Sequence, residues 1–165
     1  ELLFAADRSY MADGQFEGDN RPEATIVLGS LNFGAYPMSN GITRLETRFL
    51  GDPEAVDRAK ARQGEALDAS AADELGLVTF AFDDIDWEDE VRIFLEERAS
   101  FSPDALTGME ANLRFAGPET METRIFGRLT AWQNWIFQRP NAVGADGALK
   151  RYGSGKRADL NMERV

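Results

Sequence analysis

The sequence predicts an α/β chain in which αβ units come first and helices follow. Three observations carry this. The β-branched or aromatic runs ATIVLGSL (24–31) and LVTFAF (77–82) are bounded by glycine or turn residues and read as strands. Segments with apolar residues at helical spacing, such as Ile42, Leu45 and Phe49, lie among them. Beyond residue 82 helical patterns continue without a further strand signal. The expected organisation is therefore an αβ portion, 1–82, and a C-terminal helical region, 83–165, that holds an oligomerisation helix and a tail.

Residues 1–7, ELLFAAD, read as the tail of a buried helix that opens without a cap, so the chain is expected to be the back half of something larger. RSYMAD alternates and is expected as a strand. Gly14 to Pro22 is a loop, and GAYPMSNG is turn chemistry. The helix ITRLETRFLG closes on Gly51. Asp52 as N-cap and Pro53 at the first helical position then start PEAVDRAKARQG, which stops at Gly64. A short ALDASAADELG helix leads into LVTFAF.

DIDWEDEVRIFLEERAS is expected as an amphipathic helix with Val91, Phe94 and Leu95 inward. Ser102 and Pro103 start another, and Glu119–Gln138 reads as a long final helix. In it Ile125, Leu129, Trp132 and Ile136 step by 4, 3 and 4, while Phe126, Trp135 and Phe137 fall off that line. A helix apolar on several faces must be covered from several sides. One face is expected on its own domain and the other on a second copy, giving a homo-oligomer through the helix with Trp132, Trp135 and Ile136. Arg139-Pro140 ends it, because the residue before proline avoids the α region.

Composition removes whole classes of function. The net charge is −11, from 29 acidic against 18 basic residues, and the cations are scattered, so nucleic acid is not an expected partner. No apolar run is long enough to span a membrane. The chain has no histidine and no cysteine, which excludes imidazole and thiolate nucleophiles and metal ligands and fits a cytoplasmic setting. Any chemistry falls to carboxylates, backbone N–H groups, Lys, Tyr or Ser. The acidic run from Asp83 to Glu90 lacks the glycine of a calcium loop and reads as a solvated helix start. YGSGKR lacks the upstream glycine of a phosphate loop and reads as a turn in a basic tail.

GEALDASAADELGLV (64–78) sets Gly64, Leu67, Ala69, Ala72 and Gly76-Leu77-Val78 in a fixed spacing. Small residues at 69 and 72 let a short helix approach a neighbouring backbone, and Gly76 ends it. That spacing resembles an element of the crotonase (enoyl-CoA hydratase) superfamily. ELLFAAD, with Glu1 and Asp7, and PEATIVLG…NGITRL (22–45) resemble two more of its elements in the right order, although Gly29 stands six beyond Glu23 where the pattern has four. DDIDWEDEVRI, SPDALTGMEANLRF, TRIFGRLTAWQNWIFQRPNAVG and GALKRYGSG are similar to the C-terminal end of an outsized branch of that superfamily, the ring-cleaving lyases of aerobic benzoyl-CoA breakdown.

The resemblance implies the back half of a crotonase-like β-β-α fold followed by C-terminal helices. It implies an acyl-CoA substrate, with CoA entering as part of the thioester and no separate cofactor or metal. Superfamily members stabilise an enolate with two backbone N–H groups and move protons with glutamates. Glu1 and Glu23 stand at the two glutamate positions and are the candidate catalytic residues. In the double-length branch, however, the working glutamates belong to the other half. The resemblance thus implies that this segment serves as a scaffold, inactive by itself. A self-sufficient crotonase-like hydratase or isomerase using Glu1 and Glu23, and a non-enzymatic protein-interaction module, are the alternative readings.

Overall fold

A computed structural model describes residues 1–114 and 117–163 of the chain; Phe115, which closes one of the motifs above, lies outside them. Contacts divide it into two compact units, Glu1–Glu96 and Glu97–Val165. The division falls within one helix, which packs Phe94 on Tyr10 with ring centroids 5.2 Å apart.

The first unit mixes short strands and helices. Helix α1 (Leu2–Ala5) precedes strand β1 (Tyr10–Ala12). Strand β2 (Ile26–Val27), a 3-10 turn (Ser30–Asn32), α2 (Arg44–Arg48) and α3 (Pro53–Ala61) follow. Then come β3 (Ala66–Leu67), α4 (Ala69–Glu74), β4 (Phe80–Phe82) and α5 (Trp87–Ala99). Strand β1 runs parallel to β4, with Tyr10 opposite Phe80, and β2 runs antiparallel to β3, with Ile26 opposite Leu67. The first pairing continues past its ladder: the Thr79 and Phe80 N–H groups both donate to the Ser9 carbonyl, at 3.0 and 3.1 Å, and the Ser9 N–H donates to Thr79 Oγ1 at 3.0 Å.

Helices α2 and α3 each start on a side-chain cap, of which the sequence reading expected Asp52. Asp52 accepts from the Ala55 N–H at 3.0 Å with Pro53 leading α3. Thr43 Oγ1 accepts from the Glu46 N–H (3.1 Å) while Glu46 Oε2 accepts from the Thr43 N–H (2.6 Å), a reciprocal capping box that starts α2. Helix α4 ends in a paired return: the Leu77 N–H reaches the Ala72 carbonyl and the Gly76 N–H that of Asp73, both at 2.8 Å. That closure needs a left-handed residue, and Gly76 has φ +69°. Its small neighbours Ala69 and Ala72 are fully buried, as their size predicts, in a core of Met11, Leu28, Leu45, Leu67, Leu77 and Val78.

Several expectations change. Leu2 is 91% exposed, so only Leu3 and Phe4 of the first segment pack on the core. Leu95 is exposed on α5, while Val91 and Phe94 are half-buried: the sheet beneath is only a few residues wide and covers a narrower stripe than the periodicity allows for.

In the second unit α6 (Pro103–Arg114) starts at the expected proline. The long helix is composite: α7 (Met121–Arg124), a π-helical segment (Ile125–Leu129), then α8 (Thr130–Ile136), with α9 (Pro140–Val143) and α10 (Ala148–Arg151) after it. The Thr130 N–H donates to the Ile125 carbonyl, the five-residue reach of a π turn, and Thr130 Oγ1 donates to the same oxygen at 2.8 Å. The wider turn breaks the 4-3-4 stripe. Trp132 and Ile136 pack on α6, where a Cβ added to Gly108 would lie 3.1 Å from Ile136 Cδ1, whereas Leu129 is 51% and Phe126 76% exposed. Among the described residues no helix is long and apolar enough to cross a membrane.

Candidate functional site

The Thr43 capping box fixes where α2 begins, and so places Arg44 at its first position. From there the guanidinium Nη1 lies 4.0 Å from Glu1 Oε2. A second segment reaches the same carboxylate: Asn32 Nδ2 donates to Glu1 Oε1 at 3.2 Å, and Asn32 Oδ1 accepts from the Gly29 N–H at 2.8 Å. Asn32 therefore ties the loop after β2 to the start of α1. Glu1, Leu2, Ala5, Tyr36 and Arg44 line a cavity of about 340 Å³. Within it Glu1 Oε2 is shielded from solvent yet accepts no hydrogen bond among the described residues. The Arg44 attraction is modest at this separation and exposure, about 1 kcal/mol or less. The cluster can neutralise a carboxylate and orient it, with one oxygen left over.

Glu23 is placed elsewhere. It is exposed in the loop before β2 and makes no hydrogen bond or ion pair among the described residues. Its neighbours Pro22 and Ala24 line a different cavity, of about 380 Å³, but Glu23 does not. The structure thus does not bring Glu1 and Glu23 into one cavity. Sequence reading passed over Asn32 and did not single out Arg44, although Arg44 sits in the quoted NGITRL stretch.

The loop at that second cavity is pinned locally. Gln15 Nε2 donates to the Asp19 and Arg21 carbonyls, at 2.8 and 3.3 Å, and Arg21 Nη2 pairs with Asp19 Oδ2 at 2.6 Å. The hydrogen bonds from the Arg21 side chain and backbone hold the Asp19 carboxyl down at about 2, against an ordinary 3.8. A depressed carboxyl stabilises its loop fully above its unfolded pKa and loses that contribution as pH falls through the folded one. We expect the 14–22 loop to stay pinned as pH falls to 3.8 and to be released on approach to 2, with Asp19→Asn released at neutral pH. Amide hydrogen exchange of Gln15 to Arg21 across that range checks it.

The acidic run behaves as a helix start: Asp83 Oδ1 accepts from the Ile85 and Asp86 N–H groups at 3.0 and 3.1 Å. No cluster of three or more Asp or Glu among the described residues could hold a metal. YGSGKR is a turn, with Gly153 and Gly155 at φ +75° and +71°.

Fold and site together define a mixed α/β segment with a half-buried carboxylate held by Asn32 and Arg44. No family model matches the chain. It is similar, at 57% identity over all of its 165 residues, to the benzoyl-CoA-dihydrodiol lyase of Aromatoleum evansii. The chain spans 29% of that protein's length. The likeness read from its C-terminal motifs is to that same lyase.

Proposed function

We propose that the chain is the C-terminal part of a CoA-thioester ring-cleaving lyase like that relative, with a crotonase-like fold, and that it acts there as scaffold and subunit-contact region. The 57% identity over every residue supports the lyase assignment. One observation carries the scaffold role: Glu1 is tied by Asn32 and Arg44 while Glu23 stands exposed and apart from it. Two glutamates that exchange protons with one substrate need a shared cavity and environments that push their pKa values apart. The acyl-CoA substrate is then held by parts of the lyase outside this segment.

The subunit contact is a second copy of the chain on the face bearing Phe126 and Leu129, continuous with the helix that holds Trp132, Trp135 and Ile136. Apolar surface of this size is costly to leave wet.

A second reading has its own support. Glu1 Oε2, shielded and unbonded beside a 340 Å³ cavity, supports a reading as the proton acceptor of a self-sufficient hydratase or isomerase. Isothermal titration of benzoyl-CoA into the folded chain separates the two. No heat is the scaffold result. Saturable heat that weakens in Glu1→Gln supports the second reading and overturns the first. Sedimentation velocity tests the contact: Phe126→Asp with Leu129→Asp is expected to turn an assembled species into monomer. An unchanged sedimentation coefficient rejects that face.

A further inference from the structure

The cavity beside the pinned loop is assigned to nothing above. Its walls are apolar and aromatic: Tyr10, Met11, Phe16, Pro22 and Trp87. Phe16 and Trp87 meet edge to face with centroids 5.9 Å apart, and Tyr10 is backed by Phe82 at 5.9 Å and by Phe94 at 5.2 Å. Rings braced in this way keep their orientation without a ligand, so the hollow is preformed. At about 380 Å³ it lies in the range of small-molecule sites and exceeds what a single six-membered ring fills.

Polar groups stand among the lining, and one cation among them is only partly spent. Arg21 directs Nε and Nη2 at Asp19, which leaves the two N–H groups of Nη1 without a partner among the described residues. In a chain of net charge −11 an anion has few places to settle. The Arg21 guanidinium, 84% exposed at the rim of the aromatic pocket and paired there with Asp19, supplies one.

We infer that this cavity binds a small aromatic carboxylate, its ring against the wall that Phe16 and Trp87 form together and its carboxylate on Arg21 Nη1. The assignment stands apart from the lyase reading and survives that reading's failure. The test is titration of the chain with benzoate, followed by the indole N–H resonance of Trp87, which Trp87→Phe identifies. Acetate and benzyl alcohol serve as the probes lacking ring and charge.

The expected result is a saturable shift with a dissociation constant on the order of 1 mM for benzoate. Benzyl alcohol binds roughly tenfold more weakly, the scale of one charge-assisted contact at an exposed rim, and acetate gives no saturable shift. Phe16→Ala weakens benzoate. Ala24→Leu, which fills the hollow from its edge and leaves every ring in place, abolishes it. A benzoate titration without saturation, an equal response to acetate, or benzyl alcohol binding as tightly as benzoate would each overturn the inference.

Discussion

Leu45→Ala lowers the stability of the Glu1–Glu96 unit by about 3 kcal/mol, measured as the shift of the urea midpoint at constant slope. Leu45 is completely buried, in the same cluster as Leu28, Leu67 and Leu77. Truncation loses the transfer free energy of the removed carbons and leaves a void that closes only as far as the neighbours can move. Here they move little. Leu67 is fixed by the β2–β3 pairing, and Leu77 by the backbone return that ends α4. Helix α2 has five residues, too few to persist alone, so its packing and its cap hold it in place. Thr43→Ala, which removes the cap and keeps the packing, is the scale for comparison at about 1 kcal/mol. The two sites are adjacent and share one helix, so their double variant is not expected to be additive. Since Arg44 lies between them, losing α2 also frees Glu1 from its cation. A Leu45→Ala midpoint within about 0.5 kcal/mol of the parent, the ordinary surface range, refutes this account of the core.

What could be read from the sequence was what local chemistry decides. Asp52 with Pro53, Gly64 and Gly76 announce helix ends because capping involves only neighbours a few residues away, and the structure has all of these ends where they were expected. Ala69 and Ala72 pointed to close approach by size alone, and both are buried. The composite helix was hidden for the converse reason. A π turn changes the residue count per turn without changing residue type, so a 3.6-residue period runs straight through Ile125–Leu129 and puts Ile125 and Leu129 on a face that the structure leaves open.

The site was half legible. A resemblance could mark Glu1 and Glu23, but separating them requires knowing that Asn32 and Arg44 fold onto Glu1 from segments roughly thirty and forty residues away. Nothing in the residue types announces those contacts. The aromatic cavity is similar: Phe16 sits in a polar loop and Trp87 at the head of an acidic helix, and only their meeting makes a wall.

Asp104→Ala is the second large effect, about 2–3 kcal/mol on the Glu97–Val165 unit. Asp104 is 8% exposed at the first turn of α6, where a carboxylate also suits the helix dipole. Its Oδ1 accepts from Arg139 Nε at 3.2 Å and its Oδ2 from Asn141 Nδ2 at 3.0 Å. Asn141, equally buried, spends its remaining groups on the tail: Nδ2 donates to the Asn161 carbonyl at 3.0 Å, and Oδ1 accepts from the Asn161 N–H at 2.8 Å. One carboxylate thus joins the start of α6, the start of α9 and the chain near residue 161. Its removal leaves a buried amide donor short of an acceptor, and that desolvation outweighs the lost bonds themselves. Arg139 suffers less, because its guanidinium also lies over the Trp135 ring at 5.0 Å. Asp104→Asn keeps one acceptor but turns an NH₂ toward another donor, so it costs roughly half as much. Two such contacts through one side chain imply coupling. A double-mutant cycle of Asp104→Ala with Asn141→Ala, read by urea unfolding of the second unit, is expected to give an interaction energy of about 1 kcal/mol or more. Strict additivity would mean that the tail and the two helices are held independently, each by its own packing.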